Sequence, residues 1–476
     1  MRRELVAGGL ALGLALFVAL GGAPAPRARA QSPSVGTLMR GKIKHVVVIV
    51  QENRTFDNLF GGPPVPTASV RAYPNADSTW PPGLPPMKGV GFNSSGAPAP
   101  SNAHNVWQCI AQGGFTVAAW QAIAQHGCSA QHANGPDAVF QYIPQARRAI
   151  YWEIARRYEL ADRFFAITST GSFPAHQFIV AQQSAAQLSP SAAPVVVADQ
   201  PSNGNACFDN PRWASVMVPV LQSNGFSVDT PAGYAGECYP WKTYADLMPT
   251  PAPSGTPFWK HYETQLGSGP FNGFINMQNW YQATNGTPEM PLSSTQLAAD
   301  IQAGALPAFA WVKPACVAVS DHPGVAAHEY GPEWVGYVVN QILTSPAAQS
   351  TAIFIIWDDW GGFYDHVAPP ALRPDGIGPG LRTPLLLVSA YGAAPGAVVH
   401  TTSDYASVMK FSEDLFGLPR LNAVDANAAD LVGFFNTAAN ATPAPVPTIA
   451  AAVADPYVPS TMCPAGAPRA SANMED

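Results

Sequence analysis

Several short runs along the chain are apolar at almost every position: His45–Val50 (HVVVIV), Pro194–Ala198, Phe309–Val312, Ala352–Trp357 (AIFIIW) and Pro384–Ser389 (PLLLVS). A strand with one face in water alternates apolar and polar residues. Unbroken runs instead predict strands buried on both faces, as in parallel sheets. Helical patterns fill the intervals at Arg148–Tyr158, Pro174–Gln187, Trp213–Ser223 and Pro332–Leu343. This alternation predicts a layered α/β sheet, whose active groups gather in loops at the carboxyl ends of the strands. Gly61–Ser101, Gly267–Ser294 and Ala441–Asp476 are rich in Pro, Gly, Ser and Asn and predict long loops, the last of them an extended tail.

The first 30 residues follow another pattern. Arg2 and Arg3 precede the apolar run Leu5–Leu20, and Ala28-Arg29-Ala30 supplies a small-residue cleavage site. That is the form of an export signal, and the run is too short and too rich in Gly and Ala for a comfortable membrane span. Arg2-Arg3-Glu4-Leu5-Val6 also has the twin-arginine order, which leaves the export route open. The expected organisation is a signal peptide at 1–30, one large domain over 31–440 and a Pro/Ala-rich tail at 441–476. The mature protein is expected to be secreted or periplasmic, with no stable membrane span. Six cysteines in an exported chain predict disulfides. Short loops favour Cys109 with Cys128 and Cys207 with Cys238, leaving Cys316 and Cys463 to tie down the tail. No Cys-x-x-Cys occurs, which argues against a thiolate zinc site. With 47% hydrophobic and 12% charged residues the chain is not disordered throughout. A formal charge of −7 without a run of three basic residues argues against nucleic acid as a partner.

Four places carry candidate chemistry. His45–Val50 runs into Gln51-Glu52-Asn53-Arg54-Thr55-Phe56-Asp57, setting a carboxylate and a carboxamide where a hard cation or a phosphoryl oxygen is held. Helix capping is the competing reading. Ala352–Trp357 runs into Asp358-Asp359-Trp360-Gly361-Gly362-Phe363-Tyr364-Asp365-His366. Adjacent carboxylates repel, and a metal removes that cost; a solvated acidic turn fits poorly after so apolar a run. In Thr168-Ser169-Thr170-Gly171-Ser172-Phe173-Pro174-Ala175-His176, Pro174 marks a helix start, so Ser172 lies where free N–H groups and the positive end of the dipole point. A plain N-cap serine is the alternative. Ser320-Asp321-His322-Pro323-Gly324 offers His322 as an acid or base. His104, in Asn102-Ala103-His104-Asn105, is a weaker candidate, and His328 reads as a surface residue.

Taken together, these pieces resemble the bacterial phospholipase C and acid phosphatase family of phosphoesterases. HVVVIVQENRTFDNLFG (45–61) resembles its opening signature, WDDWGGFYDHVAPP (357–370) its second, and Asp321-His322-Pro323 a shorter third. YELADRFF (158–165) and the stretch Gly380–Leu418 also fit. The resemblance implies a three-layer α/β/α sandwich around a mostly parallel sheet, like alkaline phosphatase, and hydrolysis of phosphoric esters. It implies that Glu52, Asn53, Asp358 and Asp359 bind a divalent metal ion or line its surroundings. It makes Ser172 the nucleophile, with a phosphoserine intermediate, and His322 and His366 partners of the phosphoryl or leaving group. Asn53, His104 and His176 would contact substrate. The chain departs from the more familiar Pro-Asn-Arg after the nucleophile, having Pro174-Ala175-His176, so His176 is the substitute it offers for the arginine.

Oxygen ligands suit Mg, Mn or Ca, and an added histidine suits Zn. The expected partner is a phosphoester small molecule or a phospholipid headgroup. The aromatic stretch with Phe258, Trp259, Tyr262, Phe271, Phe274, Trp280 and Tyr281 reads first as core or lid packing and second as a pocket wall. Two rival functions are a sulfatase-like hydrolase and a non-catalytic secreted binding protein. Cys238-Tyr239-Pro240-Trp241-Lys242 and Ser172-Phe173-Pro174-Ala175-His176 approach the sulfatase pattern, but both lack its arginine.

Overall fold

The computed structural model describes residues 32–92, 100–126, 136–186, 195–197, 216–221, 227–232, 238–249, 256–263, 272–282, 286–291, 295–324, 330–373, 377–454 and 456–463. The expected export signal, His328 and Phe271 lie outside them. Seven strands form the central sheet: β1 His45–Gln51, β2 Glu159–Ala161, β3 Trp259–Tyr262, β4 Phe309–Val312, β5 Thr351–Trp357, β6 Leu385–Ser389 and β7 Val398–Val399. Their spatial order is β3-β4-β1-β5-β6-β2-β7. The strands β3, β4, β1 and β5 run parallel, whereas β6 is antiparallel to both its neighbours.

The apolar runs produce this arrangement because each strand has two dry faces. Val46, Val48 and Val50 of β1 pack into one core with Phe354 and Ile356 of β5, while Val47, Ile49, Ile353 and Ile355 pack into the other. Four helices frame the sheet: α1 Ala149–Arg157, α2 Ser172–Ala181, α3 Gly331–Leu343 and α4 Tyr405–Phe416. Phe178 and Ile179 of α2 and Val408, Met409 and Phe411 of α4 belong to the first core. Ile150 and Ile154 of α1 and Val335, Val338 and Val339 of α3 belong to the second. The result is the expected three-layer α/β/α sandwich. Among the described residues, no helix is long and apolar enough to cross a membrane.

Three sequence expectations are corrected. Pro384–Ser389 forms an antiparallel strand rather than a parallel one. Val195 and Val196, within Pro194–Ala198, pair antiparallel with Ala185–Ala186 outside the main sheet. Trp213–Ser223 holds no helix over its described part. Val216–Leu221 is a strand pairing antiparallel with Ser227–Ala232. Val216, Val218 and Val220 set a period of two, and Pro219 lacks the N–H a helix interior needs.

The carboxy-terminal stretch is more than an extended tail. Ile449 is fully buried, the Tyr158 hydroxyl donates to the Pro447 carbonyl at 2.7 Å, and Glu153 accepts from the Ala450 and Ala451 N–H groups. Cys463 is bridged to Cys316, as expected, 147 residues away in sequence. Cys109 and Cys238 are also disulfide-bonded, but Cys128 and Cys207, their expected partners, lie outside the described residues. In the aromatic stretch, Trp259 and Phe274 are fully buried and stacked, as the packing reading requires.

Candidate active site

The parallel register brings the strand ends together. Gln51 lies opposite Trp357, and Ile49 opposite Val312, so the next residues (Glu52, Asp358 and Lys313) emerge along one edge of the sheet. Asn53 then takes a left-handed conformation (φ 57°), which asparagine tolerates better than most residues. Its N–H donates to Asp358 Oδ1 at 2.8 Å. Beyond β5 the chain turns through Gly361 and Gly362, both at positive φ, and the Gly361 N–H donates to Asp359 Oδ1 at 2.6 Å. These two irregular strand ends let adjacent carboxylates serve one centre. Asp358 faces Asn53 and His176, and Asp359 faces Ser172.

Ser172 is the first residue of α2, whose N-cap is Gly171. The serine hydroxyl therefore does not act as the helix cap. It donates at 2.9 Å toward Asp359 Oδ2 and lies 3.2 Å from Asn53 Oδ1. Asn102 Nδ2 holds the same Asp359 oxygen at 2.9 Å. His176, one turn along α2, sets Nε2 3.3 Å from Glu52 and 3.4 Å from Asp358 Oδ2. Ser172, Glu52, Asn53, Asp358, Asp359 and His176 are all buried. Burial, and then the neighbouring Glu52 carboxylate, push Asp358 above the usual carboxylate range. Burial and the Lys313 ammonium hold His176 well below the ordinary imidazole value.

His322 belongs to the same neighbourhood. Its Nδ1 lies 2.8 Å from the Pro323 carbonyl, which can only accept, so Nδ1 carries the proton. Burial lowers the ring to about 4, opposed by the Pro323 carbonyl and by Asp358. Arg54 holds this loop through the Asp321 carbonyl at 3.0 and 2.6 Å, and Asp321 Oδ2 accepts from Tyr151 at 2.7 Å and Trp357 at 2.9 Å.

The remaining two histidines make their contacts elsewhere. His104 meets Ser169 rather than Ser172, with Nδ1 3.0 Å from Ser169 Oγ and its ring stacked on Trp107. His366 lies between Asp57 Oδ2 at 2.7 Å and Asp77 Oδ1 at 2.9 Å. Asp57, Asp365 and His366 have metal-like spacing, but Arg382 already donates to both carboxylates, at 3.2 and 3.1 Å. That set is better described as an ion-pair network.

Glu52, His176 and Asp358 form the other triad, with ligand atoms all within 4.8 Å of one another. The buried Asp358 Oδ2 meets no described donor nearer than His176 Nε2 at 3.4 Å, while Lys313 Nζ lies 2.9 Å from Glu52 Oε1. A buried carboxylate oxygen without a donor is costly unless a cation meets it. This donor set fits a hard or borderline divalent ion.

Sequence reasoning missed Lys313, Asn102 and Arg54. Lys313 stands directly after an apolar strand, the same signal that marked Glu52 and Asp358. Asn102 sits two residues before His104, and its partner Asp359 lies 257 residues away, so no local pattern marks it. Arg54 lies inside the first signature.

The sequence model of the phosphoesterase family matches residues 43–419. Phospholipase C B of Mycobacterium tuberculosis is 24% identical over 90% of this chain and 84% of its own length. Non-hemolytic phospholipase C of Pseudomonas aeruginosa is 24% identical over 83% of this chain and 57% of that relative. Non-hemolytic phospholipase C of Burkholderia pseudomallei is 28% identical over 39% of this chain and 32% of that relative. The sheet-edge centre and the sequence match agree: this chain belongs to the phosphoesterase family and is a phosphoric-ester hydrolase.

Proposed function

We propose that the protein is an exported, metal-dependent hydrolase of phosphoric esters in which Ser172 is the nucleophile. One observation carries the reading: the Ser172 hydroxyl bonds Asp359 and Asn53 instead of capping its own helix. Glu52, Asn53, Asp358 and Asp359 would hold the divalent ion, with His176 beside them. When bound, the ion supplies Lewis-acid stabilisation of negative charge on the phosphoryl oxygens and favours the serine alkoxide.

The chain's own groups do the rest. Asp359 receives the hydroxyl hydrogen bond and orients Oγ. The exposed N–H groups at the start of α2 favour negative charge beside Ser172. Ser172 Oγ forms a bond to phosphorus as the bond from phosphorus to the leaving alcohol oxygen breaks. The proton that Ser172 gives up ends on that oxygen; His322, whose Nδ1–H on Pro323 leaves a lone pair at Nε2, relays it rather than supplying one of its own. Water then cleaves the phosphoserine and restores the hydroxyl. His366, already engaged by two carboxylates, acts as a support for this centre rather than as its acid.

The relatives bearing the name phospholipase C support a phosphodiester with a lipid headgroup as substrate, with soluble phosphomonoesters as the other class within reach. Cys238, in one near-match to the sulfatase pattern, is disulfide-bonded, which disfavours that chemistry. The test is turnover of nitrophenyl phosphate, a nitrophenyl phosphodiester, phosphatidylcholine and nitrophenyl sulfate across Mg, Mn, Ca and Zn. Phosphoester turnover that falls at least about a thousand-fold in Ser172→Ala is expected. A Ser172→Ala enzyme with unchanged turnover, or hydrolysis of the sulfate alone, would overturn the reading.

A further inference from the structure

The residues that immediately precede three members of the centre are bonded to one another. Gln51 precedes Glu52, Asp321 precedes His322 and Trp357 precedes Asp358. The Asp321 N–H donates to Gln51 Oε1 at 2.9 Å, and Gln51 Nε2 donates to the Val319 carbonyl of the same loop at 3.0 Å. The Trp357 indole N–H donates to Asp321 Oδ2 at 2.9 Å. The Asp358 N–H closes the set on the Gln51 carbonyl at 3.0 Å.

We propose that Asp321 is a positioning residue: its Oδ2, gripped by Tyr151 and Trp357, fixes the His322 ring against the Glu52–Asp358 edge and so aims the proton relay at the leaving oxygen. The inference rests on the relay role given to His322 above and adds the residue that aims it.

Two arguments carry it. The first concerns what else could place His322. Glu52 and Asp358 are set by the register of β1 and β5, but His322 lies well past the end of β4 at Val312, beyond the reach of the sheet's own hydrogen bonds. The peptide groups of Asp321 are held instead by side chains, its N–H by Gln51 and its carbonyl by Arg54 Nε and Nη2 at 3.0 and 2.6 Å. The carboxylate is the third point of attachment. With three points fixed one residue away, the His322 backbone has little freedom left.

The second argument concerns the carboxylate itself. Asp321 is fully buried, and its Oδ2 accepts from Tyr151 at 2.7 Å as well as from Trp357. Tyr151 and Trp357 belong to the second core, and their rings meet edge to face at 5.1 Å, so packing holds both donors in place. Asp321 Oδ1 accepts nothing from the described residues, and a Cβ on Gly331 would overlap it. The acceptor role therefore falls on one oxygen, which an asparagine carbonyl can imitate and an alanine cannot.

The experiment compares good and poor leaving groups on the full chain. The probes are nitrophenyl phosphate against benzyl phosphate, and nitrophenyl phosphocholine against phosphatidylcholine. Nitrophenolate departs without a proton, whereas an alcohol needs one, so a misaimed relay penalises the second member of each pair. Asp321→Ala is expected to lower kcat about a hundred-fold on the alcohol esters and less than about ten-fold on the nitrophenyl esters, with little change in KM. Asp321→Asn is expected to restore most of that loss. His322→Gln is expected to show the same selectivity, and adding Asp321→Ala to it is expected to cost little more. An equal loss across each pair, unchanged turnover in Asp321→Ala, an Asp321→Asn as poor as Asp321→Ala, or fully additive losses in the double variant overturns the positioning role and leaves the hydrolase reading standing. An even loss in His322→Gln overturns the relay itself, and the positioning role with it. If Asp321→Ala fails to fold, Tyr151→Phe decides: a smaller loss confined to the alcohol esters supports the proposal, and an even loss or none overturns it.

Discussion

Gly361 shows how little freedom the centre has at the level of one residue. Its backbone has φ 61°, its N–H donates to Asp359, and a Cβ added there would overlap the Asn53 carbonyl. Alanine at 361 must therefore adopt a disfavoured conformation and also push Asn53 away from Ser172 and Asp358. Gly361→Ala is expected to cost about 1–3 kcal/mol of stability, read by chemical denaturation. It is also expected to lower turnover far more than the fraction unfolded explains. A folded variant of normal activity would mean that the Asn53 backbone need not be held so closely. Asn53 explains the demand for glycine. Its own left-handed conformation turns one residue toward Asp358, Ser172 and Asp359, so any shift in its carbonyl moves several hydrogen bonds together.

Among the elements, the loops leaving the sheet are held by a second charged network. Asp57 follows β1, Asp162 follows β2, Asp365 and His366 follow β5, and Arg382 precedes β6. Arg382 joins Asp57 and Asp365, and His366 joins Asp57 to Asp77, whose backbone N–H is bonded to Asp162. Burial disfavours the charged His366 ring, but the Asp57 charge and hydrogen bond outweigh it and push the ring up to about 9 from 6.5. The sign follows from linkage. A group with a raised folded pKa contributes fully below its unfolded pKa and loses that contribution as pH climbs through the folded one. Wild-type stability is therefore expected to fall between about pH 6.5 and pH 9.5, by on the order of 2–3 kcal/mol. His366→Gln is expected to show less than half that slope. Equal slopes for the two proteins in urea titrations would remove His366 from the cause.

For the whole molecule, the covalent link from Cys316 to Cys463 ties the carboxy-terminal stretch to the loop after β4. Closing so long a stretch of chain restricts the unfolded state, which typically contributes about 2–4 kcal/mol. Cys463→Ser, and wild type in a reductant, are expected to melt at clearly lower temperature, while an unchanged melt would assign the tail's docking to Ile449 and Glu153 alone. The strand ends were legible in the sequence because dry parallel strands must be apolar throughout and must stop at a polar residue. That one rule marked Glu52 and Asp358. It did not mark β3, since Lys260 and His261 hide its apolar character and Lys260 is paired with the distant Asp300. It also passed over Lys313, because a single lysine before a proline has no local pattern until Glu52 and His176 are seen beside it. His366 was placed by its motif, and the motif alone does not reveal which carboxylates fold against it. The bridged Cys316 sits between Lys313 and His322 along the chain. If the chain is exported as proposed, that position would separate birth from competence: in a reducing cytosol the newly made chain would lack the bond that steadies this loop, and the proposed ester-cleaving machinery would gain it only at the destination.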